Sequence, residues 1–230
     1  MIRNNDKLLL KYFKMKITVL ARHSVCNINS SDADAENGLS LFIEFDERKI
    51  LFDIGQSDLF FENAAKMGID LSQVDYLILS HCHFDPDGGL IHFLKINKKA
   101  KIFLHINAAH KFYSKIFSFI PCYVGPDQRI IAQKSRIYFI EVDTQIDDKM
   151  ILLEGFTEVF PHPEAKNVFF EKDRNRSVND KFKDEIVMLL IENEEIVLFS
   201  GYSHSAIINL IEEVKLFSKT MRIKAVYITH

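Results

Sequence analysis

The stretch that decides the fold is Tyr76–Leu90, YLILSHCHFDPDGGL. Its apolar run stops at Ser80, and two histidines, two aspartates and a Gly-Gly pair follow within nine residues. Because side chains of an extended segment alternate in direction, His81 and His83 point the same way if the strand continues, and Asp85 joins them once the chain bends. Two imidazoles and a carboxylate at the end of a buried strand predict a divalent metal site, with zinc the first choice and iron or manganese as alternatives.

A polar loop whose histidines only form hydrogen bonds is the alternative interpretation of this stretch. For a single histidine that alternative is the better one, but H-x-H-x-D directly after an apolar strand, with Gly-Gly behind it, favours a metal. The pair Gly88–Gly89 allows a sharp turn and close packing before a helix. Cys82 alternates to the opposite face and is interpreted as a small buried residue rather than a ligand.

The overall composition restricts the class of protein. The chain has 230 residues, which suits one domain, and its hydrophobic content of 47% is enough for a substantial core. The net charge of −3 argues against a broad nucleic-acid or membrane surface, and no apolar run reaches the length of a membrane helix. Three widely spaced cysteines predict free thiols in a reducing compartment. We therefore expect a cytoplasmic protein without nucleic-acid or membrane partners.

Strand-like and helix-like segments alternate in the first half of the chain, and strands dominate the second half. The predicted strands cover residues 16–21, 39–45, 49–55, 74–80, 101–106, 135–142, 150–155, 156–160, 185–192, 195–201 and 223–229. The predicted helices cover residues 57–68, 90–97 and 205–217. The charged run 171–176, EKDRNR, is interpreted as a solvated loop, whose arginines can meet an anionic group such as a phosphate ester. This order of elements predicts a mixed α/β fold with sheets covered by helices.

Three motifs, which follow one another along the chain as they do in the family, resemble the metallo-β-lactamase superfamily. LSHCHFDPDGGL (79–90) is similar to its H-x-H-x-D-H signature, and ILFDIGQ (50–56) is similar to the preceding strand, which ends in an aspartate. FSGYSHSAIINLIEE (199–213) is similar to the G-C-x-H-x-G-I-x-N segment of a branch labelled dihydropterin-ribofuranosyl-aminobenzene-phosphate synthase-like. The resemblance covers nearly the whole chain. It implies a four-layer αββα sandwich with one or two metal ions at the mouth between the sheets.

The resemblance also assigns roles to individual residues. It implies that His81, His83 and His204 hold the metal, and that Asp85 binds a second ion or acts as the catalytic base on water. Asp53 is expected to orient a ligand histidine or the loop, and a turn or helix-capping carboxylate is the equal alternative. For His204 alone, the alternative is an ordinary histidine at a helix N-terminus.

Departures from the family pattern affect the second metal site. Pro86 stands where the family has a histidine, and proline has neither a ligand atom nor a backbone N–H. Asp87 follows and offers an oxygen as an auxiliary ligand, although it is one residue out of register. Tyr202 stands where the branch has the cysteine that precedes the later histidine.

The domain organisation is predicted to be a single domain over residues 1–230, with residues 1–15 as an N-terminal extension. The branch continues beyond the position of His230 with further elements, which we interpret as missing here. Their absence would leave apolar surface and an unpaired strand edge, and this predicts a homodimer.

The functional expectation is a metal-dependent hydrolase-type enzyme. It would use metal-activated water on a phosphoester or carbonyl centre of a small anionic substrate, which the branch label suggests is phosphate-bearing. The alternative is a degenerate, non-catalytic member that acts as a binding protein with one weak metal site or none. Pro86 and the short C-terminus favour that alternative, and the fold cannot decide between the two because function depends on the site.

Overall fold

The computed structural model of the protein describes residues 14–21, 38–55, 57–81, 89–116, 120–126, 135–156, 160, 169–173, 176–180, 182–202 and 207–229. Its strands are β1 (Met15–Ala21), β2 (Ser40–Phe45), β3 (Arg48–Phe52), β4 (Tyr76–Ile78), β5 (Lys101–His105), β6 (Phe112–Ile116), β7 (Ile120–Tyr123), β8 (Ile137–Ile140), β9 (Thr144–Gln145), β10 (Met150–Leu153), β11 (Phe169–Asp173), β12 (Arg176–Asn179), β13 (Val187–Glu192), β14 (Glu195–Tyr202) and β15 (Arg222–Thr229). Its helices are α1 (Leu59–Lys66), α2 (Leu90–Ile96) and α3 (Ile207–Ser218), with short 3-10 helices at Leu71–Gln73 and Ile106–Ala109. Within these described ranges, none of the helices has the length and apolar character needed to cross a membrane.

The largest sheet has six strands in the order β1-β2-β3-β4-β5-β8. Strands β1 to β3 are antiparallel, whereas β3, β4, β5 and β8 are parallel. Parallel strands covered on both faces need apolar side chains at nearly every position, and Leu51, Phe52, Leu77 and Ile78 are indeed completely buried. Because the connections between these strands pass through helices α1 and α2, the carboxyl ends of β3, β4 and β5 meet at one edge of the sheet.

The second sheet has five strands in the order β15-β14-β13-β10-β9. Strands β14 and β15 are parallel, and the other pairs are antiparallel. Strands β13 and β14 are joined by a tight turn at Asn193 and Glu194, both with positive φ, as two-residue hairpins require.

Three hydrophobic clusters define four layers. Phe60 of α1 belongs to the cluster between the helices and the outer face of the six-stranded sheet. The two sheets enclose the second cluster, in which the rings of Phe52 and Phe199 are 5.9 Å apart. Leu210 of α3 packs with Leu198 in the third cluster, on the outer face of the five-stranded sheet. The architecture is therefore the αββα sandwich that the family resemblance implied.

A third sheet, of four strands in the order β12-β11-β6-β7, was not predicted from the sequence. The interpretation of residues 171–176 as a solvated loop is wrong at the strand residues, because β11 and β12 form an antiparallel hairpin there. Strand β11 also pairs with β6, where the rings of Phe170 and Tyr113 stack 5.6 Å apart. These tertiary contacts supply the stabilisation that the charged run lacks locally. In the predicted strand 156–160, neither Phe156 nor Phe160 is in a strand, and residues 157–159 lie outside the described ranges.

A tight turn joins the predicted strands 39–45 and 49–55, and the predicted helix 57–68 is present as α1. Asp46 and Glu47 have φ of 48° and 66° and form the turn between β2 and β3. Ser57 Oγ accepts a hydrogen bond from the Leu59 N–H at 3.1 Å at the start of α1. Gly68, with φ of 70°, adopts the left-handed conformation just beyond its end.

Candidate functional site

The candidate site lies at the edge where the parallel strands end side by side. Phe52 pairs with Ile78, and Ile78 pairs with Phe103, so the three strand ends are in register. The residues that follow or close these strands are Asp53 after β3, Ser80 and His81 after β4, and His105 at the end of β5. The sheet topology therefore brings a carboxylate, a hydroxyl and two imidazoles to one edge.

Asp53 is buried at the end of β3 in an unusual backbone conformation. Its φ of 56° lies in the left-handed region, which is uncommon for residues other than glycine but is tolerated best by Asn and Asp. Its N–H donates to the Ile78 carbonyl at 2.9 Å, and its carboxylate accepts from the N–H and the hydroxyl of Ser80 at 2.8 and 2.7 Å. Asp58, not Asp53, is the N-cap residue of α1. The helix-capping alternative is therefore excluded for Asp53.

The ionisation of Asp53 is shifted by this environment. Burial raises the pKa of its carboxyl to about 6, against the opposing effect of the two Ser80 hydrogen bonds. Near neutral pH the buried carboxylate is therefore destabilised by its loss of hydration. In the described structure, the two hydrogen bonds from Ser80 stabilise its charge.

Ser80 connects Asp53 to His81. The Ser80 residue is 2% exposed, and its Oγ lies 2.9 Å from His81 Nδ1. Its carbonyl accepts a hydrogen bond from the Ile186 N–H. Because Ile186 directly precedes β13, Ser80 joins the two large sheets at the candidate site.

Gly201, near the end of β14, packs directly on Ser80 and Asp53. A Cβ atom at position 201 would lie 1.8 Å from Ser80 Oγ and 2.8 Å from Asp53 Oδ2. Only glycine allows the backbone of β14 to approach so closely. His204 follows Gly201 by three residues in the chain.

Of the predicted metal ligands, the structure describes His81, which is half-buried at the site. The other predicted site residues lie outside the described residues, and these are His83, Asp85, Asp87 and His204. Within the described part of the chain, no group of three or more His, Cys, Asp or Glu side chains is arranged to hold a metal ion. The ligand set thus stays a prediction, whereas the contact of His81 with Ser80 is described.

His105 is a site-edge residue that the sequence interpretation did not select. It is 5% exposed, and its Nδ1 accepts the Asn107 N–H at 3.1 Å. Its Nε2 lies 3.4 Å from Glu154 Oε2 and so carries the proton. The signal that identifies it is the same as for His81, a histidine at the carboxyl end of a buried parallel strand.

The small third sheet contributes an acidic group, Glu171, whose carboxyl is partly buried. Burial raises the pKa of the Glu171 carboxyl, the nearby Asp180 raises it further, and His110, 3.4 Å away, opposes the shift. Asp184, whose charge also acts on Glu171, lies two residues before Ile186. The third sheet therefore adjoins the segment that contacts Ser80.

Asn209, the last residue of the G-C-x-H-x-G-I-x-N-like motif, holds a distant backbone segment. The residue is 1% exposed, its Oδ1 accepts the Phe160 N–H at 2.8 Å, and its Nδ2 donates to the Phe160 carbonyl at 3.0 Å. The first turn of α3 thereby fixes one point of the connection between β10 and β11. The motif marks this asparagine, but only the tertiary structure shows what it binds.

Comparisons with known proteins agree with this architecture. An uncharacterized protein of Methanocaldococcus jannaschii is 30% identical over 189 residues, which cover 80% of this chain and 70% of that protein. From the same organism, 7,8-dihydropterin-6-methyl-4-(β-D-ribofuranosyl)-aminobenzene-5′-phosphate synthase is 26% identical over 208 residues, 84% of this chain and 69% of that protein.

One similar crystal structure is described as a metal-dependent hydrolase of the β-lactamase superfamily. It superposes with a TM-score of 0.75 at 29% identity and covers 93% of this chain and 75% of that chain. The family model of the metallo-β-lactamase superfamily matches residues 33–170, which is more than half of the sequence. The chain belongs to the metallo-β-lactamase superfamily.

Proposed function

We propose that the protein is a metal-dependent hydrolase-type enzyme that acts on a phosphoester or carbonyl centre of a small anionic substrate. The superfamily consists mostly of metal-dependent hydrolases, and a similar structure carries that description. The observation that supports the proposal most directly is the hydrogen-bonded series Asp53, Ser80, His81 at the carboxyl edge of the sheet. Histidines that bind metals characteristically have such a partner on their other ring nitrogen.

The proposed ligand set suits a divalent ion. His81, His83 and His204 would supply imidazole nitrogens and Asp85 a carboxylate oxygen, which are ligands that zinc binds well and iron or manganese accept. When bound, such an ion would polarise the bond to be cleaved and make water a nucleophile near neutral pH. His81 fits this role in the structure, because one of its ring nitrogens is already engaged by Ser80.

The protein's own side chains have separable tasks in this proposal. Asp85 would take the proton that the attacking water loses, or hold a second ion. Asp87 would offer an auxiliary oxygen. Asp53 would hold the Ser80–His81 segment in position, since its carboxylate is hydrogen-bonded to Ser80 and lies close to the backbone of Gly201.

The substrate class is proposed from a relative's name and not from its reaction. That name contains a pterin and a phosphate ester, which favours a phosphate-bearing small molecule. It also denotes a synthase, so it does not support hydrolysis by itself. We accordingly propose the class of ligand from this relative and the type of reaction from the superfamily.

A binding protein with one weak metal site or none is the second candidate. The observation that favours it is Pro86, which has no ligand atom at the position where the family places a histidine. In that case the fold would remain and the second ion would be lost.

Elemental analysis of the purified full chain tests the proposal first, since it counts metal atoms per chain. The same protein is then assayed with phosphodiester, phosphomonoester and carboxylic ester substrates, before and after removal of metal by a chelator. Turnover that disappears with the metal supports the enzyme. Bound metal without turnover supports the binding protein, and a chain that takes up no metal contradicts the enzyme.

A further inference from the structure

We propose that Ser80 is a positioning residue that links Asp53 to His81 and holds the His81 imidazole in the tautomer with its proton on Nδ1. The consequence is that Nε2 of His81 is the nitrogen presented to a metal. Only this last step rests on the proposed function. The tautomer itself is a property of the metal-free chain and can be measured there.

The inference follows from which protons the Ser80 hydroxyl and the His81 imidazole have available to donate. The Ser80 hydroxyl has one proton and donates it to Asp53 Oδ2 at 2.7 Å, while the Ser80 N–H donates to Asp53 Oδ1 at 2.8 Å. A serine hydroxyl has one donor and two acceptor lone pairs. Its 2.9 Å contact with His81 Nδ1 must therefore be one in which the imidazole N–H donates and the oxygen accepts. In a neutral imidazole with its proton on Nδ1, the lone pair is on Nε2.

The surroundings prevent this arrangement from relaxing easily. Ser80 and Asp53 are 2% and 6% exposed, so water has little access to compete for either group. The backbone of Gly201 closes the space beside Ser80 Oγ, where even a Cβ atom would lie 1.8 Å away. The hydroxyl oxygen is therefore fixed between one carboxylate and one imidazole.

The inference predicts opposite effects for two substitutions. In Asp53→Asn, the Ser80 N–H still needs an acceptor, so the amide oxygen takes the Oδ1 position and the NH₂ group faces the Ser80 hydroxyl. The hydroxyl then donates to His81 Nδ1, and the imidazole proton moves to Nε2. An asparagine behind a catalytic histidine imposes the wrong tautomer in the same way in serine proteases. In Ser80→Thr, the hydroxyl remains, and the original tautomer is retained.

The experiment measures the His81 tautomer directly. Metal-free protein labelled with ¹⁵N in its histidines is studied at pH 8 by long-range ¹⁵N–¹H correlation, with His81→Gln used to assign the signal. We expect a proton on Nδ1 in the wild type and in Ser80→Thr, and on Nε2 in Asp53→Asn. Zinc affinity, measured by competition with a chelating dye, is expected to fall about 10- to 100-fold in Asp53→Asn and to be preserved in Ser80→Thr.

Two results would overturn the assignment of Ser80. The first is a wild-type His81 that carries its proton on Nε2, and the second is an Asp53→Asn variant whose proton stays on Nδ1. If Asp53→Asn does not fold, Ser80→Ala replaces it, and an Nδ1 tautomer that persists without the hydroxyl is equally contradictory. The expected tautomers in a chain that binds no zinc would support the Ser80 assignment and contradict the proposed function, so the two failures are distinguishable.

Discussion

Gly201 and Ser80 are in contact across the two large sheets, at a distance that leaves no room for a side chain at position 201. A Cβ atom there would lie 1.8 Å from Ser80 Oγ and 2.6 Å from Ser80 Cβ. Ser80 follows β4 in the six-stranded sheet, and Gly201 is near the end of β14 in the five-stranded sheet. The contact therefore places Ser80, which directly precedes His81, against Gly201, which precedes His204 by three residues in the sequence.

The first prediction is that Gly201→Ala destabilises the protein and disturbs His81. Forcing one extra carbon into a filled space typically costs about 1–3 kcal/mol, and here the nearest atoms belong to Ser80 and Asp53. Urea unfolding measures the loss, and the His81 imidazole signals report the displacement.

Gly68→Ala is the control for this first prediction. Nothing lies within 4 Å of a Cβ at Gly68, although its φ of 70° disfavours alanine, so we expect backbone strain without any change at His81. The double variant Ser80→Gly, Gly201→Ala should be more stable than the sum of the single effects, because residues in contact are not additive. If the stability changes of the two single variants simply added in the double variant, the contact between Gly201 and Ser80 would not be the cause of the destabilisation.

The second prediction concerns pH and Asp53. Its pKa is about 6 in the folded protein against an ordinary value of 3.8, so the folded state binds this proton more tightly than the unfolded state. The stabilisation from this group is fully present below pH 3.8 and is lost as pH rises through about 6. The total loss is about 3 kcal/mol.

Urea unfolding of metal-free protein between pH 4 and 8, for wild type and Asp53→Asn, measures this dependence. The amide does not titrate, so the wild type should lose stability relative to the variant as the pH rises. Parallel curves over this range would contradict a raised pKa for Asp53.

The third prediction is that His83→Ala strongly lowers the metal content. Loss of a direct ligand should cost more than loss of a supporting residue, which already costs about 10- to 100-fold in affinity. His92→Ala is the control, because His92 lies on α2 with its Nδ1 2.9 Å from Asp58 Oδ2, on the surface. Elemental analysis should find less metal per chain in His83→Ala than in His92→Ala. Equal metal content in the two variants would contradict the assignment of His83.

The fourth prediction is that Pro86→His raises the number of metal ions per chain. The proline removes an imidazole from the second site and leaves Asp85 in place. Pro86→Ala relieves the backbone restriction without adding a ligand and is the matched control. The histidine variant should bind more metal than the alanine variant, measured by elemental analysis. If the two bind the same amount, the register of the second site is wrong.

The fifth prediction is that Asn209→Asp destabilises the protein by about 1–3 kcal/mol. Aspartate can still accept the Phe160 N–H, but it places a second oxygen against the Phe160 carbonyl where the amide now donates. Asn193→Asp is the matched control at an exposed turn, where surface substitutions change stability by about 0.5 kcal/mol or less. Equal midpoints in urea at pH 8 would show that the two hydrogen bonds to Phe160 contribute nothing.

Local patterns in the sequence were sufficient for the framework of the fold. The apolar run before Ser80 predicted a strand buried on both faces, since such a strand cannot afford polar side chains on either face. The H-x-H-x-D spacing then predicted where ligand-type residues leave that strand. The turn at Asp46 and Glu47 and the end of α1 at Gly68 were also predictable, because turn and cap preferences act over a few residues.

Contacts between distant parts of the chain were decided by the tertiary structure alone. The charged run 171–176 carries no strong strand signal, yet its residues 171–173 and 176 lie in strands β11 and β12, because β6 offers a partner far away in the sequence. The sequence marks Gly201 as part of a motif and Ser80 as the end of an apolar run, but their contact arises only where the two sheets meet. The sequence by itself therefore determined which segments form the layers and where His81 and Asp53 leave the sheet. The hydrogen bonds that orient His81 depend on packing between sheets, which no local pattern encodes.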